Sequence, residues 1–347
     1  MWLTNSSIGR KFVMALTGIC LVLFVTFHVL MNSVCLLWPA AYNMICEFLG
    51  ANWYALVASM GLAALFIIHI IYAVWLTIQN RRARGADRYA VNSRPPQVEW
   101  SSKNMLVLGI VIVAFLIVHM IQFWAKMQLQ ELISHDLTAL PQVEGVPASP
   151  AFGTLFIQMA FSCWWTPVVY IIGFIALWFH MNHGFWSMFH SIGWDNQVWI
   201  NRLKCIGCWW TSIVVALFIA QAVLFTVQAN NKFFLNDPTL QEQYGEYWSE
   251  QAGQLVENFE TANAAVQKSI DSSDMMAAQA AQVDFILEAA PASIEKGEKI
   301  LEYAEAQAPD YSSNNLTQLR MFVRALHQSI EQATRIKAQY SNNENIQ

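Results

Sequence analysis

The sequence predicts an all-α protein: a five-helix transmembrane bundle followed by an extra C-terminal helical, soluble extension. Three observations predict it. The 347 residues are 56% hydrophobic and 12% charged, a balance typical of polytopic membrane proteins. The apolar residues gather into five long, nearly uncharged runs, each long enough to cross a bilayer. Charge is also divided: residues 1–229 carry a net +4 and residues 230–347 a net −9.

The clearest run is Met105–Trp124, MLVLGIVIVAFLIVHMIQFW, twenty residues without a formal charge. The spans are read as about 12–38, 54–79, 103–127, 163–190 and 206–228. The first follows Arg10-Lys11 and is too long, with no small-residue cleavage site, to be read as a cleavable leader. The second stops at Arg81-Arg82-Ala83-Arg84. Ten of the eleven basic residues before residue 230 flank one side of the spans; the other side has only Lys126. The positive-inside rule therefore predicts a cytoplasmic N-terminus, and five crossings put the tail outside.

The connections follow from turn chemistry. Gly85 and Arg94-Pro95-Pro96 mark the second connection as turn and extended chain. The third, about 128–162, holds Pro141, Pro147 and Pro150 and is expected to lie over the outer face. In the tail, Leu255, Val256, Phe259, Ala262, Val266 and Ile270 recur at helical spacing. Breaks are expected at 230–232, at Ala290-Pro291 and from Pro309 to Asn315, which predicts a small helical bundle or hairpin. Cys205-x2-Cys208 is half of a zinc pattern and is read as an ordinary helix end; a disulfide between Cys46 and Cys163 is left open.

Seven of the eight histidines precede residue 230. A lone histidine in an apolar helix is more often a hydrogen-bonded structural residue than a ligand. Here four consecutive spans each place one in the apolar run: His28, His69, His119 and His180. His28 lies 17 residues after Lys11, and His119 lies 16 after Lys103. His69 lies 16 after Trp53, and His180 lies 16 after Trp164. Each is thus roughly 24 Å along its helix at about 1.5 Å per residue. Neighbouring spans run in opposite directions. His28 and His119 then share a depth in the outer half, and His69 and His180 share one in the inner half, ~15–20 Å away by the same rise. Two imidazole pairs at two depths are what two stacked b-type haems need, with an axial histidine on each face of each iron.

Gly18 and Gly109 each precede their histidine by ten residues, Gly61 precedes His69 by eight and Gly173 precedes His180 by seven. On antiparallel helices these glycines fall near the depth of the other haem, where a missing side chain lets a macrocycle approach; the competing reading is ordinary helix contact. His183, three residues from His180, is open to a propionate, a quinone or a helix contact. Ser7, Arg10, Lys11 and Lys103 sit at the inner end, suited to propionates or equally to lipid headgroups.

In order along the chain, these motifs resemble one family. They are Ser7-Ile-Gly-Arg10-Lys11 through Thr17-Gly18 to Phe27-His28-Val-Leu-Met-Asn32, then His69-Ile-Ile-Tyr72, His119, and Phe179-His180-Met-Asn182-His183-Gly184-Phe185-Trp186. Residues 5–229 resemble the five-helix, dihaem cytochrome b (b558-type) membrane subunit of succinate dehydrogenases and quinol:fumarate reductases. The resemblance implies haem ligation by His28 with His119 and by His69 with His180, the last through an H-x3-G pattern ending at Gly184. It implies a flavoprotein and an iron–sulfur subunit on the cytoplasmic face, the dicarboxylate chemistry residing on another chain. It further implies electron transfer through two haem b groups to a membrane quinone, menaquinone being the family's pointer, and a bacterial cytoplasmic (inner) membrane location. A homodimer of the complex is compatible with it, and no nucleic-acid partner is expected.

Some members place an acid in the first connection, near the quinone. Here that acid is Glu47, which makes it the candidate proton donor or acceptor. Members with a glutamate two residues before the fourth ligand find Trp178 at that position here. The acidic tail, 230–347, also departs from the family's pattern. Two other classes compete: a dihaem anchor of hydrogenase or formate dehydrogenase type, and a non-redox transporter. The first would distribute its ligands differently, and the second would carry more charge inside the membrane.

Overall fold

The structure, a computed structural model, describes residues 6–50, 52–84, 100–133, 140–194, 196, 198–269 and 275–344. Gly85 and Arg94-Pro95-Pro96 lie outside the described residues. The described chain is helical apart from one two-stranded hairpin, and five of its helices are long and apolar enough to cross a membrane. It divides into two compact units, residues 1–133 with 150–233, and residues 134–149 with 234–347.

In the first unit, α1 (Ser7–Leu37) opens on Ser6, whose Oγ accepts the Gly9 N–H at 2.9 Å, an N-cap that satisfies one orphan donor. α1 ends because Pro39 follows Trp38. Proline drives the residue before it out of helical backbone, and Trp38 sits at φ −152°, ψ 85°. Pro39 then opens α2 (Pro39–Gly50), where its missing N–H costs nothing. So the first connection, read from sequence only as a gap between spans, is itself helical.

The second span is α3 (Trp53–Arg84). It runs through the expected stop near Gln79 into the arginine run, whose long side chains can reach a headgroup zone. The third is α4 (Trp100–His119), continued by a π-turn over Met120–Trp124. The third connection is more ordered than its prolines suggested. It contains α5 (Gln128–Ile133) and α6 (Gly153–Phe161), with strands β1 (Gln142–Val143) and β2 (Val146–Pro147) between them. The hairpin turns at Glu144 and Gly145, φ 51° and 86°, the paired left-handed conformation that suits strand twist. The fourth and fifth spans are α7 (Trp165–Ser191) and α8 (Trp199–Asn230).

α7 packs against α8 and α4, while α1 packs against α3 and α7. A Cβ on Gly173 of α7 would lie 2.5 Å from Phe115 Cγ of α4, so this glycine lets the two helices approach. α8 is clasped to α1 by Gln221, whose Nε2 donates to Val29 O and Ser33 Oγ, both at 2.9 Å.

The second unit is a bundle of α10 (Pro238–Ser269), α11 (Met275–Gln307) and α12 (Asn314–Glu344), preceded by the single turn α9 (Phe233–Asn236). Its core joins Trp248, Ala252, Ala290, Ile294, Ile300, Tyr303, Leu316 and Leu319. The expected break at Ala290-Pro291 is corrected: α11 runs through Pro291. Pro291 cannot donate to the Leu287 carbonyl, but Ala290 and Ile294 on either side of it are buried in the core, and tertiary packing rather than propensity holds most helices. The hairpin belongs to this unit. Gln307 donates to the Pro147 carbonyl and its Oε1 accepts the Trp248 Nε1–H at 2.5 Å.

Candidate functional site

The four histidines meet in two pairs. The rings of His28 on α1 and His119 on α4 lie 5.8 Å apart between centroids, with planes at 85°. Those of His69 on α3 and His180 on α7 lie 6.3 Å apart, with planes at 64°. An iron held by two imidazoles separates ring centres by roughly 6 Å, from two metal–nitrogen bonds of about 2 Å and the two ring radii. The spacing of both pairs fits that group.

Polar neighbours hold the His28 and His69 rings. Thr17 Oγ1 donates its one proton to the Val13 carbonyl at 2.9 Å. With that proton on the backbone, its oxygen accepts from His69 Nδ1, 3.0 Å away. The proton sits on Nδ1 and Nε2 is left with its lone pair, the form in which histidine binds a metal. At His28, the Asn32 amide donates to Nε2 at 3.2 Å, so that nitrogen is unprotonated but its lone pair is engaged, and a metal at Nε2 would have to displace the amide. Asn32 Oδ1 in turn accepts from Tyr42 Oη at 3.4 Å. At His180, Nδ1 is buried without a hydrogen-bond partner.

Aromatic rings line the His28–His119 pair. Phe24 stacks on His28 at 5.4 Å and Phe218 lies 6.1 Å from it. Phe115, Phe123 and Tyr170 surround His119 at 6.0, 5.3 and 6.0 Å. Such a wall excludes water and strengthens any electrostatic interaction inside it.

The glycines divide. A Cβ on Gly18 would touch His69 Cε1 at 3.9 Å, so Gly18 of the first span lies beside the second span's histidine, as the depths predicted. Gly173 packs on Phe115. At Gly61, Gly109 and Gly184 an added Cβ meets nothing within 4 Å. The polar candidates also divide. Ser7, Lys11 and Lys103 are exposed, and Arg10 stands over the Trp75 ring at 5.6 Å. His183 packs edge-on against Trp186 at 4.9 Å, with Lys204 over the same indole at 4.3 Å. Trp178 Nε1 donates to Ser212 Oγ at 3.0 Å. All six cysteines are free thiols. Among the described residues no three His, Cys, Asp or Glu side chains converge on one point, a pattern that two-imidazole pairs do not require.

Glu47 is exposed on α2. The more buried acid near that helix is Glu131 of α5, whose carboxylate packs directly over Gly50. Nearby, burial raises the Tyr42 phenol well above its ordinary value and pushes the Cys46 thiol up to about 12, so both stay neutral. Burial also raises the Glu131 carboxyl above the usual glutamate value. A group raised in this way favours folding when protonated. That contribution is fully present below the unfolded pKa and is lost as pH rises through the folded one. Glu131→Gln, uncharged throughout, is therefore expected to melt above the wild type at about pH 8 and level with it at about pH 4, near a free glutamate's pKa. A melting difference independent of pH would contradict this.

The sequence assigned no role to Tyr170 or Gln122, and named Asn32 and Thr17 only as motif residues. A signal existed for three of them: Asn32 and Gln122 follow their histidines by four and three residues, and Thr17 precedes Gly18. Tyr170, 51 residues from His119, had none.

No protein-family model, curated protein or solved structure matches the chain.

Proposed function

We propose that the chain is the dihaem cytochrome b membrane anchor of a succinate:quinone oxidoreductase, a succinate dehydrogenase or quinol:fumarate reductase. The observation that carries the reading is the meeting of four histidines from four spans as two pairs, each at a spacing suited to one iron. His28 with His119 would hold one haem b, and His69 with His180 the other. When bound, each haem supplies a one-electron centre between an iron–sulfur subunit and a quinone.

The chain's own residues do the positioning. Thr17 orients His69, Asn32 holds the His28 ring through Nε2 until a metal displaces it, and the phenylalanines keep water from the His28–His119 pair. Gly18 allows close approach at His69, and the open backbone at Gly61 and Gly109 leaves room for a flat group against α3 and α4. The basic end formed by Arg10, Lys11 and the arginines of α3 suits the flavoprotein and iron–sulfur partners and the cytoplasmic face of a bacterial inner membrane. The same rule puts the C-terminal unit on the periplasmic side. At the opposite end, Glu47 and Glu131 are carboxyls available for proton exchange with a quinone, menaquinone by resemblance.

The test is purification of the tagged chain from its own membranes in mild detergent. The reading expects co-purifying flavin and iron–sulfur subunits and succinate- or fumarate-linked quinone turnover. A haem-bearing complex that lacks flavin and oxidises hydrogen or formate would contradict it.

A further inference from the structure

The hydrogen bonds beside His119 can be followed proton by proton. Tyr170 Oη donates to Gln122 Oε1 at 2.9 Å. Gln122 Nε2 donates to Thr166 Oγ1 at 3.2 Å. The phenol's one proton is thereby committed. Towards His119 Nδ1, 3.2 Å away, Tyr170 offers only a lone pair. In this arrangement Nδ1 carries the imidazole proton, and Nε2 is the bare nitrogen.

The backbone is shaped to allow this. The π-turn begins at the residue after His119 and carries Gln122. Its register is fixed by the Ala125 N–H, which donates five residues back to the Met120 carbonyl at 2.8 Å. Such wide turns inside α-helices recur at functional sites. Tyr170 and Thr166 are buried, at 4% and 0% exposure. Phe115, Phe161 and Phe174 pack round the Tyr170 ring with centroids 5.0, 5.2 and 5.9 Å away. A largely buried polar triad next to one histidine is costly unless its members are satisfied, and here each bond leads to the next.

We propose that Tyr170, held by Gln122 and Thr166, is a positioning residue for His119, fixing its Nδ1–H tautomer and ring rotation and raising its electron donation to an iron bound at Nε2. This rests on the haem reading above. An acceptor on Nδ1–H makes an imidazole a stronger donor, and loss of such a partner typically weakens a metal site 10- to 100-fold. A weaker donor favours reduced over oxidised iron, so the midpoint potential rises. A clasp that merely joins α4 to α7 would use the same contacts and leave the potential alone.

The experiment is an optical redox titration of the purified complex, with the His119-ligated haem identified as the one that His28→Ala lacks. Tyr170→Phe keeps the ring and its packing and removes only the oxygen. In Tyr170→Phe and in Gln122→Leu that haem is expected to titrate at a higher potential, while the haem of His69 and His180 does not move. Selective loss of the His119-ligated haem from Tyr170→Phe, roughly 10-fold or more faster on dilution, also supports the proposal. Two haems with unchanged potentials in Tyr170→Phe overturn the positioning role alone. A wild-type complex without haem overturns this proposal together with the reading beneath it.

Discussion

On the proposed reading, exchange of His28 or His119 for alanine is expected to remove one haem and leave the other, and exchange of His69 or His180 to remove the complementary one. The expectation follows from pairing. Each member of a pair reaches the same space as its partner, with ring centres 5.8 or 6.3 Å apart, so losing either imidazole leaves the iron one axial ligand short. The two single variants of a pair must then share a spectrum. Because a half-liganded haem in an apolar wall is readily lost, haem per chain is expected to fall by about half in each variant and quinone-linked turnover to fall to background. Reduced-minus-oxidised spectra of the four variants check the assignment. Identical spectra for His28→Ala and His69→Ala would refute it.

Trp248→Ala strips the C-terminal unit of its largest fully buried side chain. The indole packs edge-on against Tyr303 at 5.3 Å and donates to Gln307, which in turn holds the hairpin at Pro147. Truncating a buried tryptophan typically costs about 3–5 kcal/mol, and a domain of this size holds only about 5–15 in total. The expected result in the intact chain is rapid proteolysis of residues beyond 234, a rise of roughly two orders of magnitude or more, with the haem spectrum unchanged. Proteolysis at the wild-type rate would show that the tryptophan contributes little.

The histidine pairs could be foreseen because an apolar helix fixes depth by residue count, and antiparallel crossing turns equal counts into two levels. The same arithmetic placed Gly18 beside His69. It could not place Gly173, which packs on Phe115, because rotation about the helix axis decides which residue faces which neighbour. α6 escaped notice for a related reason. Its nine residues, GTLFIQMAF, are apolar but too short to cross, and only tertiary contact marks them as a buried helix. Pro291 misled because a local rule met a packed core and the core prevailed. The polar partners of the histidines are contacts between distant segments, such as Tyr170 with His119, and no spacing in one sequence announces them. Glu131 gained its burial the same way, from Gly50 on another helix, whereas Glu47 stood out in the sequence and lies exposed.

The most direct test of the central claim is the haem content of the purified, intact chain by pyridine haemochrome. Two b-type haems per chain are expected, both low-spin, as two neutral imidazoles on each iron require. A chain purified with its membrane partners and free of haem would contradict the account, and the four histidines would then be hydrogen-bonded structural residues of a non-redox membrane protein.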